Sequence, residues 1–245
     1  MGKGRDKKQK AAAKAGKVST SGAVKTTSKT TKNDKKKKKR EMFGTGEGGD
    51  DVETMLASIL SAEAENSGEA VVEPCAAPTP RVNFSMVTVG SENKLEMVVF
   101  GGERNDGRQV MFCRELYRYS MWNNKWSSVH PAGLEPGPRS GHAATTWKSQ
   151  MFVFGGEFST PKATQFHHYL DLWQLNLDEN SWDKVVPTGR GPTARSGHRM
   201  VTHENKLLLF GGFSDFVRES KYYNDLFVFD IDTVRASSCL LNRPA

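Results

Sequence analysis

Three short stretches decide the fold: Glu96-Met97-Val98-Val99-Phe100-Gly101-Gly102, Gln150-Met151-Phe152-Val153-Phe154-Gly155-Gly156 and Lys206-Leu207-Leu208-Leu209-Phe210-Gly211-Gly212. Each is an apolar run closed by paired glycines, and the first glycines stand 54 and then 56 residues apart. Glycine reaches positive φ and admits close backbone approach, so a strand ending this way is sterically sensible. A period near 50 residues marks a repeat of the β-propeller kind and not a helical solenoid.

Alignment on the glycines brings other positions into register. Arg139 and Arg195 each precede their first glycine by 16 residues, and Arg81 by 20. Downstream come Glu115-Leu116-Tyr117-Arg118-Tyr119, Asp171-Leu172-Trp173-Gln174-Leu175 and Asp225-Leu226-Phe227-Val228-Phe229, rich in the aromatic and branched residues that strands favour. Ten residues after the leucine stand Trp126 and Trp182 in the first two units. Each unit therefore reads as a four-stranded antiparallel meander of about 55 residues. Its second strand is apolar throughout, as in a strand covered on both faces.

Charge divides the chain. Residues 1–40 hold 16 of the 35 Lys and Arg and two acids, a balance of +14, whereas the remaining residues carry −7. The basic excess thus belongs to a tail and does not describe a nucleic-acid-reading domain. Residues 1–49 have too little apolar surface to offset their ordering entropy and are expected to be disordered. The block Lys35-Lys36-Lys37-Lys38-Lys39-Arg40 has the form of a nuclear-import patch, with weak polyanion or RNA contact through residues 1–40 as a second expectation. Three scattered cysteines, Cys75, Cys113 and Cys239, suggest reduced thiols and an intracellular location in nucleus or cytoplasm. No apolar run reaches the roughly 18 residues of a membrane span, and no secretory signal opens the chain.

Behind the tail, residues 50–64 read as an amphipathic helix. Asp50 and Asp51 provide N-cap chemistry, and Val52, Met55, Leu56, Ile59 and Leu60 share one face. Docking onto the repeats is the expected use of that face. Residues 65–79 read as a proline-containing linker, residues 80–233 as the repeats (about 80–128, 138–186 and 194–233), and residues 234–245 as a divergent end.

The double glycine, the aromatic strand and the tryptophan at fixed distance resemble the kelch repeat over residues 80–233. That resemblance implies a β-propeller and a role in protein–protein interaction. The expected fold is all-β: a partial kelch propeller of two complete blades and an incomplete third, with a disordered tail and one short helix. The tryptophan due at position 236 is Ala236. An indole buries roughly 150–250 Å², so its loss removes roughly 4–6 kcal/mol as an upper value. Propellers close as rings of four to eight blades, so a shortened product of splicing, frame shift or gene modelling is expected, with self-association through open blade edges.

Ser140/His142 and Ser196/His198 suggest nucleophile and base, but residues two apart on a strand lie roughly 6.5–7 Å apart, too far for that bond. The expectation is structural: hydrogen bonding of the turn into the innermost strand. Glu103 and Glu157 directly follow their glycine pairs, where carboxylates of adjacent blades could converge as acid–base pairs do, yet the third unit has Phe213 there and a glutamate in a solvated loop is ordinary. His130, His142, His167, His168, His198 and His203 show no metal-ligand spacing. No catalytic, cofactor or metal residue is assigned.

A protein or peptide partner is expected on the loop face, between second and third strands and beside the Pro-Arg turns. Arg104, Arg139, Arg195, Phe158, Phe166, His167, Phe216 and Tyr222 are the candidates, since aromatics with arginine make interface hot spots. Two other readings stand beside the scaffold: a substrate receptor of a cullin-type ubiquitin ligase, recruited through the helix, and a nuclear or nucleolar factor tethered by the tail.

Overall fold

The computed structural model describes residues 51–63, 68–216 and 219–239. The expected disordered tail, its Lys35–Arg40 block and residues 240–245 lie outside them.

Asp51 opens helix α1 (Val52–Glu63), accepting from Thr54 Oγ1 at 2.8 Å, as an N-terminal acid does. The first unit comprises β1 (Val71–Cys75), β2 (Ser85–Val89), β3 (Glu96–Phe100), a small hairpin β4 (Glu103–Asn105) and β5 (Val110–Phe112), then β6 (Leu116–Ser120) and β7 (Lys125–His130). The second repeats the plan: β8 (Ala143–Trp147), β9 (Gln150–Phe154), hairpin β10 (Glu157–Ser159) and β11 (Phe166–His168), β12 (Leu172–Asn176) and β13 (Ser181–Val185). After β14 (Thr188–Gly189) the third runs β15 (Arg199–His203), β16 (Lys206–Phe210), hairpin β17 (Phe213–Phe216) and β18 (Glu219–Tyr222), β19 (Leu226–Asp230) and β20 (Arg235–Cys239). The sheet orders are β1-β7-β6-β3-β2, β13-β12-β9-β8 and β14-β20-β19-β16-β15. Each holds the expected four-stranded meander, with its first strand innermost.

The apolar second strands explain the stacking. In β9, Met151 and Val153 point into one core with Val98, Phe100 and Trp182, while Phe152 and Phe154 point into a second with Leu207, Leu209 and Phe227. A strand serving two cores must be apolar at successive positions. In β16 the pattern breaks: Leu207 and Leu209 are buried, but Phe210 is 49% exposed, because no described sheet covers its far face. The fold is thus a segment of propeller.

Two boundaries differ from expectation. The linker over residues 65–79 contains β1, which pairs antiparallel with β7 from Val71↔His130 to Cys75↔Trp126. Pro74 lacks an N–H, and an edge strand tolerates that. The divergent end over residues 234–245 contains β20, paired with β19 from Leu226↔Cys239 to Asp230↔Arg235. Backbone hydrogen bonds make a strand whatever side chain stands at Ala236, so the third sheet is complete in strands and deficient in packing. Among the described residues, no helix is long and apolar enough to cross a membrane.

Candidate functional site

The glycine pairs build the end of the sheets where the hairpins emerge. Gly155 and Gly156 have φ of 63° and 93°, and Gly156 N–H donates to the carbonyl of Arg195 in the next unit at 2.9 Å. A Cβ on Gly155 would lie 2.6 Å from that carbonyl. Gly102 likewise donates to the Arg139 carbonyl at 2.9 Å. The paired glycines are therefore the points where one blade touches the next.

The arginines whose carbonyls meet those glycines are braced by side-chain bonds within their own units. Arg139 is fully buried: Nε donates to the Gly137 carbonyl at 3.1 Å, and Nη1 to the Gly155 carbonyl at 3.0 Å and Asp171 Oδ1 at 2.8 Å. Its guanidinium lies 3.9 Å from the Tyr169 ring centroid. Arg195 repeats this with Thr193, Gly211 and Asp225, over Tyr223 at 4.0 Å. Burial pushes the Asp171 carboxyl up, but Arg139 beside it and the Trp173 indole N–H hold it below the ordinary range.

This corrects the expected partner surface. Arg139 and Arg195 have no accessible surface and bond their own chain, so they cannot meet a ligand. Phe158 is 5% exposed, packed with Val52, Leu56 and Tyr169 under α1. His167 Nδ1 is 2.6 Å from Glu53 Oε1 of α1, and Val52 N–H donates to Gln165 Oε1 at 3.0 Å. The helix docks on the second hairpin as expected, and covers part of the face assigned to a partner. Phe166 and Tyr222 remain exposed, at 42% and 78%. Arg104 is half-buried, Nη1 donating to Thr79 Oγ1 at 3.4 Å. The Phe216 side chain lies outside the described residues.

The serine and histidine repeats are structural, as expected, but reach farther than the turn. Ser140 Oγ donates to Glu103 Oε2 and Ser196 Oγ to Glu157 Oε2, both at 2.9 Å, so each serine clasps the glutamate of the preceding unit. His142 Nε2 meets Ser85 Oγ at 2.8 Å. His142 and His198 pack edge-on against Phe100 and Phe154. Burial, then the neighbouring arginine charge, drives both imidazoles down to about 3.

One constellation escaped the sequence. His168, Ser196, Glu157 and Asp215 come together from three segments: His168 Nδ1 is 2.7 Å from Ser196 Oγ, and Asp215 N–H donates to His168 Nε2 at 3.0 Å. A backbone N–H only donates, so Nε2 is unprotonated and Nδ1 carries the proton. The relay runs from His168 Nδ1–H to the Ser196 oxygen, and from the Ser196 hydroxyl to Glu157. That polarity is opposite to a nucleophile–base pair, in which the serine gives its proton to the imidazole. Burial, with Glu103 and Asp215 nearby, raises the Glu157 carboxyl. One ligand atom from each of Glu157, His168 and Asp215 lies within 4.8 Å of the others. Both His168 nitrogens are engaged, so a cation would have to displace a hydrogen bond. The cluster is a clasp between hairpins.

Adjacent hairpins join into a band: Val110 N–H bonds the Pro161 carbonyl at 2.9 Å, and His168 reaches Asp215. Beside α1 a cavity of about 500 Å³ opens at the same end, walled by Ile59, Phe112, Arg114, Tyr117, His130 and Glu135. Burial raises the Glu135 carboxyl, against the charges of Arg114 and His130.

Stacked four-stranded meanders, clamped by paired glycines and buried arginines, define a kelch-type propeller segment. The family model described as the KLHDC2/KLHL20/DRC7 Kelch-repeats domain matches residues 42–242. The chain belongs to that family. It is 33% identical over 143 residues to Kelch repeat-containing protein 2 of Saccharomyces cerevisiae, covering 55% of this chain and 15% of that one. Similarity to Tip elongation aberrant protein 1 of Schizosaccharomyces pombe is 29% over 148 residues, covering 60% and 12%. With human Kelch domain-containing protein 3 it is 26% over 157 residues, covering 59% and 40%. The chain thus spans well under half the length of these relatives. Among solved structures it superposes on one described as the structure of YjhT, with TM-score 0.47 and 18% identity, over 66% of this chain and 52% of that one.

Proposed function

We propose that this chain is a non-catalytic protein-interaction scaffold whose partner meets the band of hairpins β4–β5, β10–β11 and β17–β18. The supporting observation is that Phe166 and Tyr222 stand exposed on neighbouring hairpins, whereas Phe158 is buried and Phe213 half-buried. Exposed aromatics on a rigid, internally bonded platform are what interface hot spots require. The 500 Å³ cavity beside α1, lined by apolar Ile59, Phe112 and Leu116 and by charged Arg114, Glu115 and Glu135, suits a peptide side chain. Membership of a kelch-repeat family supports the same reading. The basic tail, the helix and the stretch Phe166-His167-His168-Tyr169-Leu170-Asp171-Leu172-Trp173 further resemble kelch domain-containing protein 4. Placement in the nucleus through Lys35–Arg40 belongs to this proposal.

The ubiquitin-ligase reading is weaker, because Val52 and Leu56, the residues that would recruit a ligase, are buried against Phe158 and Tyr169. A photo-crosslinking residue at Tyr222 should capture a protein that the same residue at Met121, on a β6–β7 turn, does not. Binding of the captured protein should fall at least tenfold in the F166A/Y222A double variant, with the melting temperature unchanged. Undiminished binding by a folded double variant would overturn the proposal.

A further inference from the structure

The two interfaces between sheets are built from equivalent positions and differ most at one. Between the first and second sheets, Phe100, Leu116 and Trp173 surround Trp182, with ring centroids 5.1 Å from Phe100 and 6.5 Å from Trp173. Between the second and third, the equivalent residues are Phe154, Leu172 and Phe227, and the residue they surround is Ala236. The equivalence is one of register: Trp182 pairs with Leu175 across β12–β13, and Ala236 with Phe229 across β19–β20. Phe152, Leu209 and Phe229 are larger than their equivalents Val98, Val153 and Leu175, but Trp→Ala and Trp→Phe together remove more than these restore. A cavity of about 260 Å³ remains, walled by Phe154, Leu172, Met200, Leu209, Phe227 and Ala236. Leu170 and Pro187 also line it and are solvent-exposed, which puts its mouth at the surface.

We propose that this cavity is a binding site for an uncharged planar aromatic molecule of about indole size. Three observations identify that chemistry. The same wall in the preceding interface holds an indole. The lining side chains are all apolar, and apolar cavities of roughly 150 Å³ in protein cores stay dry and take up benzene. Among the described residues, the Trp182 indole nitrogen is buried without a protein acceptor, so a ring in such a setting is held by packing alone. A charged or strongly polar ligand would be left unpaired there. The lining includes no residue of the hairpin strands, and the site does not depend on the proposed partner.

The test is ligand-detected NMR titration of the full 245-residue chain with indole, paired with thermal melts. Saturable binding in the submillimolar to millimolar range is expected, with a rise in melting temperature. Ala236→Trp should fill the space, weaken indole binding at least tenfold and raise the melting temperature without ligand. Should that variant fail to fold, Ala236→Leu makes the same comparison. Free tryptophan, which carries its zwitterion, should not compete. Absence of saturable binding, or equal binding by the filled variant, would overturn the site. So would binding of a tryptophan-bearing peptide without binding of indole, since the occupant would then be a partner's side chain.

Discussion

Arg139 and Asp171 form an enclosed bidentate pair, Nη1–Oδ1 2.8 Å and Nη2–Oδ2 3.2 Å, 32 residues apart in sequence. The arginine is fully buried and the aspartate side chain 16% exposed. Removing one member strands a desolvated charge, which costs about 3–5 kcal/mol. Asp171→Asn should lower unfolding free energy by that amount in urea titration. Arg139→Lys should not rescue, because an ammonium can neither fork across the carboxylate nor stack on Tyr169. Asp225→Asn should cost less than Asp171→Asn, because its side chain is 38% exposed and screened by water, even though it too leaves a buried arginine.

The glycine triplets make unequal predictions although their sequences match. Gly155 and Gly211 both sit at positive φ, so alanine at either costs about 1–2 kcal/mol. At Gly155, as at Gly101, a Cβ meets backbone of the following unit, 2.6 Å from the Arg195 carbonyl, whereas the nearest atom at Gly211 is 3.4 Å away. Gly155→Ala should therefore destabilise roughly twice as much as Gly211→Ala in paired thermal melts. Equal losses would mean the junction yields.

Why the repeats were legible and the partner surface was not has a physical basis. Glycine pairs, core strands and Trp182 recur because each blade meets its neighbour in the same way, so periodicity carries that information. Arginine beside aromatics has two meanings: an exposed hot spot, or a buried clasp such as Arg139 on Tyr169. The distinguishing signal was present, since Arg81, Arg139 and Arg195 each have an acid 34, 32 and 30 residues later at the start of the third strand. The His168–Ser196–Asp215 cluster has no such signal: Phe112 and Tyr222 stand at the position of His168 in the other hairpins. β1 and β20 escaped because Pro74 and Ala236 speak against a strand locally, while hydrogen bonds to β7 and β19 outweigh them.

Acid should loosen the blade junctions through His142 and His198. Each titrates near 6.5 when unfolded and at about 3 when folded, so between those values the unfolded chain binds more protons. Stability is complete above about 6.5 and is lost as pH falls toward 3. The slope is about 1.4 kcal/mol per pH unit per histidine, hence about 4 kcal/mol for both between pH 7.5 and 5. Asp171, lowered in the fold, adds in the same direction at lower pH, and Glu157, raised, opposes it. Urea titrations at pH 7.5 and 5 should show this loss, and His142→Asn with His198→Asn should flatten the dependence. An unchanged slope in that double variant would assign the pH effect elsewhere.

Helix α1 should behave as a separable cover on the loop face. It buries Val52 and Leu56 against Phe158 and Tyr169, and joins the second hairpin through Glu53–His167 and Val52–Gln165. A helix of 12 residues is marginal in water without such packing. Leu56→Ala removes roughly 2–5 kcal/mol of local burial, enough to release the helix without unfolding sheets whose cores exclude it. Hydrogen exchange of the full chain should then lose protection over residues 52–63 while β9 and β12 keep theirs. If this face receives the partner, L56A should also change partner affinity. A tenfold gain would identify α1 as a competitor for the face, and a comparable loss would make it part of the binding surface. Protection lost equally in β9 and β12 would show instead that helix and sheets unfold as one unit.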